Sequence, residues 1–564
     1  MNIHFVNILA MRCNPCHFLG VDDLARLLNP SNSSPGRRAA PPIRILRLTY
    51  DGAHTMNHPL PKTAGPAACV AVAAAGLLAA CAVGPNFKAP EAPRDASFAA
   101  PGQIAPKTTA TPLPGGEAQR FVDGMDIPGQ WWTLFQSAPL NALIERALKN
   151  SPTLQAAQAA LRQANETTAA QRGSYYPSVS GTAQSERQKG SGASFGIPGF
   201  PSSYYYNLQT ASVNVSYTLD AFGGTRRQVE ALQAQAEYQQ FALEASYLTL
   251  TANIVTAAIN EASLRAQILA TDEIAHSQQK LLDITQRRVG AGSASRTDVL
   301  QQQSTLQATL ATLPPLRSLL AQQRNQLAAY VGDLPAAYTG AEFNLDSLNI
   351  PQDLPVSLPS KFVEQRPDVR EYSALLHQAT AQIGVATANM LPQITLSGSY
   401  GQDAAKWANI FSPSSNVYAL IGSITQPIFK GGQLMHQRRA AVAAAQEAAA
   451  NYQATVINAF ENVSNTLYAL QSDADTLAAQ ALAERSAADS LALVQVQYKS
   501  GAASLVQVLT SEQSYQTAAV ALVKARAQRY ADTAALFQAL GGGWWNRNEA
   551  LADMSTTPRS QPAQ

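Results

Sequence analysis

The sequence contains the same structural unit twice. A helical run begins at Pro152 and ends before Pro177, and a similar run begins at Pro367 and ends before Pro392, so both prolines recur 215 residues later. Two further pairs follow in the same order, Phe222–Gly224 with Phe429–Gly432 and Val289–Gly292 with Tyr498–Gly501. Because the features keep their order and nearly keep their spacing, the chain is predicted to be an internal duplication.

Each copy is predicted to contain a helix, two strands and two long helices. The first copy is assigned to residues 131–335 and the second to residues 361–540, with a linker at 336–360 and a tail at 541–564. Strands are predicted at about 177–187, 206–221, 392–402 and 416–429. Long helices are predicted at about 225–289, 297–330, 433–498 and 504–540. The predicted fold is therefore mainly α with a small β part.

The long helices have the apolar spacing of a coiled coil. Leu243, Tyr247, Leu250 and Ile254 follow one another at intervals of four, three and four residues, which keeps them on one face of a helix. The other faces carry many uncharged polar residues, as expected for helices in contact with water. A purely structural coiled coil has the same pattern, so the helices alone do not decide the function.

The strands alternate between apolar and uncharged polar residues. Val213, Val215, Tyr217 and Leu219 lie on one face of a strand, and Asn214, Ser216, Thr218 and Asp220 lie on the other. This alternation is typical of a membrane barrel with lipid outside and water inside. The four apolar residues are therefore predicted to face lipid, where a charge is expected to hamper insertion. A half-buried sheet in a soluble sandwich is the alternative.

Four strands are too few to close a membrane barrel. An open sheet edge in lipid leaves backbone groups without hydrogen bonds, which is costly. The sheet is therefore expected to be completed by further copies of the chain, and three copies supply twelve strands.

The start of the chain resembles a lipoprotein signal. Residues 70–80 form a short apolar run with Lys62 upstream, and Leu78-Ala79-Ala80-Cys81 resembles a bacterial lipobox. Residues 56–80 are therefore predicted to be a signal peptide, and Cys81 to carry a lipid. Residues 1–55 are predicted to be a non-native extension and residues 81–130 an extended, lipidated segment.

Composition excludes several other classes of protein. A net charge of +2 is too small to indicate a nucleic-acid-binding protein. No cysteine follows Cys81, so the body of the chain has no disulfide framework. His276, His377 and His436 lack the spacing of metal ligands, and residues 192–196 match G-x-S-x-G without the strand-turn-helix context of a nucleophile elbow. No enzyme activity, metal or cofactor is expected.

Several motifs, in order, resemble the TolC-like family of outer-membrane factors, and within it the efflux lipoproteins of the NodT type. The motifs are Cys81–Pro90, Trp131–Phe135, Asn150–Leu154, Arg366–Asp368, Pro427–Gly432 and Leu540–Trp544. The resemblance implies a homotrimer with a twelve-stranded outer-membrane β-barrel, a long periplasmic α-helical barrel and an equatorial belt that includes the linker. It also implies the exit duct of a tripartite efflux pump for small amphipathic or toxic compounds. The implied partners are a periplasmic adaptor and an inner-membrane transporter of the resistance-nodulation-division class.

The resemblance also implies roles for the two helix–helix turns. Gly290, Gly292 and Gly501 fall at the periplasmic tips, which contact the adaptor. The apolar ring of the pore gate falls on Val506, and the acidic ring falls on Thr510, which carries no charge. The nearest carboxylates are Asp298, which is predicted as a third gate residue, and Glu512. For both, the alternative is ordinary charge on a helix surface.

Two alternative functions remain open at this point. The first is the duct of a type I protein-secretion system, which the lipobox and the Trp-Trp pair disfavour. The second is a non-conducting coiled-coil lipoprotein of the cell envelope.

Overall fold

A computed structural model describes residues 82–91, 97–100, 102–191 and 201–547, without the side chains of residues 359 and 360. The predicted signal peptide, Cys81, the G-x-S-x-G sequence and the end of the tail lie outside the described residues.

Within that part of the chain the fold is mainly helical. The helices are α1 (Ala138–Asn150), α2 (Pro152–Arg172), α3 (Gly224–Gly290), α4 (Arg296–Leu310), α5 (Leu313–Val331), α6 (Pro359–Gln365), α7 (Pro367–Ala388), α8 (Gln433–Lys499) and α9 (Leu505–Ala539). The strands are β1 (Arg120–Asp123), β2 (Ser178–Ser191), β3 (Ser203–Leu219), β4 (Asp353–Val356), β5 (Gln393–Ala404) and β6 (Asn416–Thr425).

The two copies are dominated by α3 and α8, which have 67 residues each. At a rise of 1.5 Å per residue each helix is on the order of 100 Å long. Both helices begin directly after a glycine with positive φ, Gly223 at 76° and Gly432 at 82°, a conformation that costs glycine little. One 18-residue window of α3 is apolar enough to cross a membrane, but half of it is buried in the protein, as in a core helix.

One predicted helix is divided in the structure. The sequence pattern predicts one helix at about 297–330, whereas α4 ends at Leu310 and α5 begins at Leu313. Pro314 and Pro315 explain the break, because proline lacks the amide hydrogen that a helix interior needs and its ring clashes with the preceding turn. Both prolines lie in the first turn of α5, where that loss is tolerated.

The larger sheet is antiparallel, with the strand order β2-β3-β5-β6. It therefore places the two hairpins of the duplication side by side, with β3 of the first copy paired to β5 of the second. The predicted strand at 416–429 is too long, since β6 ends at Thr425. Pro427 follows two residues later and cannot donate a hydrogen bond to a neighbouring strand.

A second, two-stranded sheet joins the extended N-terminal segment to the linker. β1 and β4 pair in parallel, from Arg120 opposite Asp353 to Asp123 opposite Val356. Arg529 in α9 holds the same segment from the other side, because its buried guanidinium donates to the carbonyl of Gly115 at 3.1 Å and to the Thr108 hydroxyl at 3.2 Å. The linker is thus part of the folded belt around the helices.

The main apolar core lies in this belt. Trp131, Trp132 and Phe135 are at most 1% exposed, and the ring of Trp131 stacks on that of Phe537 at a centroid distance of 5.4 Å. Trp131 precedes α1, whereas Phe537 lies in the last turns of α9. The core therefore joins the beginning of the first copy to the end of the second.

Candidate functional site

The four-stranded sheet has one apolar face. In its register, Val213 lies opposite Gly181 and Tyr400, and Val215 lies opposite Val179 and Gly398. Residues directly opposite in antiparallel strands share a face. Continued across all four strands, that face carries Val179, Ala183, Ala211, Val213, Val215, Tyr217, Leu219, Ile394, Leu396, Tyr400, Tyr418, Leu420 and Ile424.

Much of this face is open to the surroundings. Val213 is 51% exposed, Leu420 85% and Ile424 72%, while Tyr217 and Leu219 are half-buried. From Ala211 to Leu219 the band extends about 27 Å along the strand at 3.4 Å per residue. A contiguous exposed apolar surface of this kind marks an interaction site rather than a water-facing surface.

On β6 the opposite face of the sheet carries Val417, Ala419 and Ile421, but on β2, β3 and β5 it is made of uncharged polar residues and Gly401 over the same length. It carries Ser180 and Thr182 on β2 and Asn214, Ser216 and Thr218 on β3. Asn214 Nδ2 donates to Thr182 Oγ1 at 3.3 Å. Such side chains suit contact with water.

The outer edges of this sheet lack neighbours. Among the described residues, β2 pairs only with β3 and β6 pairs only with β5. The backbone donors and acceptors on the far sides of these two strands have no strand partner. Such edges are templates for pairing with another chain.

The residues that follow Cys81 lie at the base of the sheet, where β3 gives way to α3. The Val83 amide donates to the Phe222 carbonyl at 3.1 Å, and Ala82 packs against Gly223. Buried Arg227 donates to the Val83 carbonyl at 3.1 Å and to Asn86 Oδ1 at 2.6 Å. The segment after the predicted lipidation site is thus fixed at one border of the apolar band.

The first helix–helix turn connects α3 to α4. Gly292 has a φ of 72° and makes the reversal, whereas Gly290 is the last residue of α3 and has no positive φ. Ser295 caps α4 through a capping box, since its hydroxyl accepts from the Asp298 amide at 3.1 Å and the Asp298 carboxylate accepts from the Ser295 amide at 2.9 Å. Asp298 therefore has a structural role as a cap.

The second turn connects α8 to α9 in the same way. Gly501 has a φ of 81°, and Ser504 forms a capping box with Gln507. Val506 is 59% exposed, and Thr510, one turn later, is exposed and donates to the Val506 carbonyl at 2.9 Å. The structure thus places both predicted gate residues on one exposed face of α9.

The two tips contact each other within the protein. The Arg288 guanidinium lies 4.6 Å from the centre of the Tyr498 ring and donates to the Tyr498 carbonyl at 3.0 Å. Leu281, Leu505 and Val508 form a small buried cluster with Tyr498. The two tips are therefore packed against each other.

Glu512 is not a surface charge. Only 2% of the residue is exposed, and it lies between α9, α3 and α4, next to Gln278 and Gln302. The sequence identified this glutamate only as a carboxylate near the gate, because the 4-3 apolar pattern gives no signal for a buried polar residue.

The family of the chain follows from comparison with known proteins. The family model described as "Outer membrane efflux protein" matches residues 143–333 and 358–542. The chain belongs to the outer membrane efflux protein family. The two matched segments coincide with the two copies of the duplication, and the resemblance to outer-membrane factors is thereby confirmed.

Relatives of this family align over nearly their whole length. The pyoverdine export outer membrane protein OpmQ of Pseudomonas aeruginosa is 30% identical over 85% of this chain and 98% of its own. The cation efflux system protein CusC of Escherichia coli (strain K12) is 27% identical over 84% of this chain and 98% of its own. The solved structure of the outer-membrane channel OprN is 25% identical, with a TM-score of 0.74, over 82% of this chain and all of OprN.

Membership of the outer membrane efflux protein family agrees with the predicted function and location. The chain is an outer-membrane efflux channel, and its relatives are channels or transport proteins rather than enzymes.

Proposed function

We propose that three copies of the chain form the passive exit duct of a tripartite efflux pump. The observation that carries this proposal is the four-stranded sheet, with its exposed apolar face and two edges that have no strand partner among the described residues. Pairing β2 of one copy with β6 of the next satisfies both edges and closes a ring.

The number of copies follows from the size of the ring. Two copies supply eight strands, and an eight-stranded barrel is filled by its own side chains or holds one small ligand. Three copies supply twelve strands, which at a spacing of about 4.8 Å and a tilt of about 40° enclose a backbone diameter of about 24 Å. Three is thus the smallest number that leaves a water-filled lumen lined by residues such as Asn214 and Thr218.

The names of relatives support small compounds as cargo. They include a toluene efflux pump outer membrane protein of Pseudomonas putida and the pyoverdine export protein OpmQ. They favour an efflux duct over a protein-secretion duct. A non-conducting envelope spacer has no need of an apolar sheet face open to its surroundings, so that alternative is disfavoured.

The tips supply the remaining roles in this proposal. The turns at Gly292 and Gly501, with Gly290 beside the first, contact a periplasmic adaptor that joins the duct to an inner-membrane transporter of the resistance-nodulation-division class. Val506 and Thr510 line the pore there, so the narrowest part of the gate is uncharged. Energy comes from the transporter, because a duct of this kind performs no chemistry.

The duct is tested by counting copies and by measuring conductance. We expect the full-length protein in detergent to have three times the protomer mass by light scattering, and we expect ion conductance when it is inserted into planar bilayers. A one-copy particle, or a three-copy particle that never conducts even when Val506 is replaced by Gly, contradicts the proposal.

Replacing Cys81 by Ser should abolish lipid attachment. Ala82 follows Cys81 and lies where the sheet meets α3, so a lipid on Cys81 enters the membrane at the border of the apolar band. We expect complete loss of radiolabelled palmitate from the Cys81→Ser protein. Cys69→Ser serves as the control and should keep the label, whereas equal labelling of both proteins excludes Cys81 as the site.

A further inference from the structure

Glu512 is a buried carboxylate that makes no hydrogen bond of normal geometry with any described residue, although the amides of Gln302 and Gln278 lie near it. It lies in α9, half a turn beyond the proposed gate residue Thr510, and both of its carboxylate oxygens lack a hydrogen bond of normal geometry. An ionised carboxylate removed from water without a partner is strongly destabilising. The protein therefore has to keep this group neutral or let it reach solvent.

Two glutamines from other helices surround this carboxylate. Gln278 in α3 and Gln302 in α4 are 1% and 0% exposed, and Gln302 Nε2 donates to the Gln278 carbonyl at 3.3 Å. The side-chain oxygens of both glutamines have no donor. The cluster thus holds four acceptor oxygens without a hydrogen bond of normal geometry. The donors left for them are the Gln278 Nε2 group and the second N–H of Gln302 Nε2.

The charges around the cluster do not compensate an ionised Glu512. A cavity of about 200 Å³ borders it, with Ile274 and Leu491 among its walls and exposed Glu273 of α3 at its rim. Tyr515 of α9 also lines the cavity, and Glu484 of α8 acts electrostatically on that phenol. From α4 the neighbour is uncharged Gln302. Both Glu273 and Glu484 are acidic, so neither provides a positive charge that would pair with an ionised Glu512.

We propose that Glu512 is a proton-operated latch of the tip, protonated when α9 packs against α3 and α4 and ionised when these helices separate. The protonated carboxyl group supplies the O–H donor that the glutamine oxygens lack. Loss of that proton leaves a buried charge, and separation of the helices hydrates it. The proposed separation of α9 from α3 and α4 follows from this cluster alone. The effect of that separation on conduction rests on the proposed duct.

The direction of the pH effect follows from burial. Desolvation raises the pKa of Glu512 from 4.5 to about 7, although the amides of Gln302 and Gln278 lie near enough to lower it in part. In separated, hydrated helices the carboxyl group regains its ordinary pKa. The stabilisation of the packed tip is therefore complete below about pH 4.5 and is lost as the pH rises through 7. The separation equilibrium shifts by on the order of 10²-fold between these limits.

Hydrogen–deuterium exchange of the full-length assembled protein tests the latch. We compare the wild type with Glu512→Gln at the same pH in peptides covering residues 274–282, 300–306 and 508–516, so that intrinsic exchange rates cancel. The wild-type to variant ratio of exchange rates should be about 4 at pH 5 and on the order of 10² at pH 8, because glutamine keeps a donor and carries no charge. Glu273→Gln, at the exposed rim, is the matched control and should behave like the wild type.

A ratio that is the same at pH 5 and pH 8 overturns the proposal. If Glu512→Gln does not assemble, the test uses the wild type alone, with residues 250–262 of α3 as an internal reference. The exchange rates of the tip peptides are divided by that of the reference at each pH. A ratio that does not change with pH overturns the latch. Exchange does not depend on conduction. A protein that never conducts but shows the pH-dependent ratio contradicts the duct and supports the latch. A protein that conducts but shows a ratio independent of pH supports the duct and contradicts the latch.

Discussion

Replacing Val215 by Lys should prevent stable insertion of the protein into the outer membrane. Val215 lies in the middle of the apolar band, opposite Val179 and Gly398, and is 39% exposed. A lysine on the lipid face of a barrel costs about 2–4 kcal/mol near the bilayer midplane. In a trimer the change occurs three times, so the total cost is about 6–12 kcal/mol, comparable to the whole stability of an ordinary domain.

The adjacent residue provides a matched control. Asn214 lies on the polar face of the same strand, so Asn214→Lys places the same charge at the same depth but toward the lumen. We expect it to lose the 3.3 Å hydrogen bond to Thr182 and otherwise to assemble normally. The measurement is the amount of assembled oligomer in outer-membrane fractions separated by density. Equal amounts of the two variants contradict the assignment of the lipid face.

Replacing Trp131 by Ala should strongly destabilise the belt. Trp131 is 1% exposed, stacks on Phe537 and makes an edge contact with Phe135 at 6.4 Å. Truncation of a buried tryptophan removes its transfer free energy and leaves a cavity, which together cost about 3–5 kcal/mol. Because Trp131 and Phe537 join the first copy to the second, the loss should loosen both copies.

Trp407 is the control for this substitution. It lies in the short connection between β5 and β6 and is 49% exposed, so Trp407→Ala should change the free energy of unfolding by less than about 0.5 kcal/mol. Urea unfolding followed by far-ultraviolet circular dichroism measures both variants. Equal midpoints for Trp131→Ala and the wild type are incompatible with the proposed role of the stack.

Local patterns in the sequence accounted for the repeated architecture. The repeated prolines locate the ends of α2 and α7, because proline is compatible with the first turn of a helix and not with its interior. The alternation around Val215 predicted the two faces of the sheet, since side chains in a strand alternate with a period of two. The break before Pro314 could have been predicted by the same physical rule, but a single helix at about 297–330 was predicted instead.

The tertiary structure decided the contacts between distant segments. The pairing of Arg120 with Asp353, the burial of Arg529 against the N-terminal segment and the cluster around Glu512 each join residues more than 200 positions apart. Local periodicity does not predict such partners, because the environment of a charged residue depends on the helices that pack against it. The sequence by itself determined the duplicated helices and strands and which face of the sheet is apolar along β3. Only the packed structure decided that Glu512 is buried, because desolvation is a property of the assembled helices and not of any one of them.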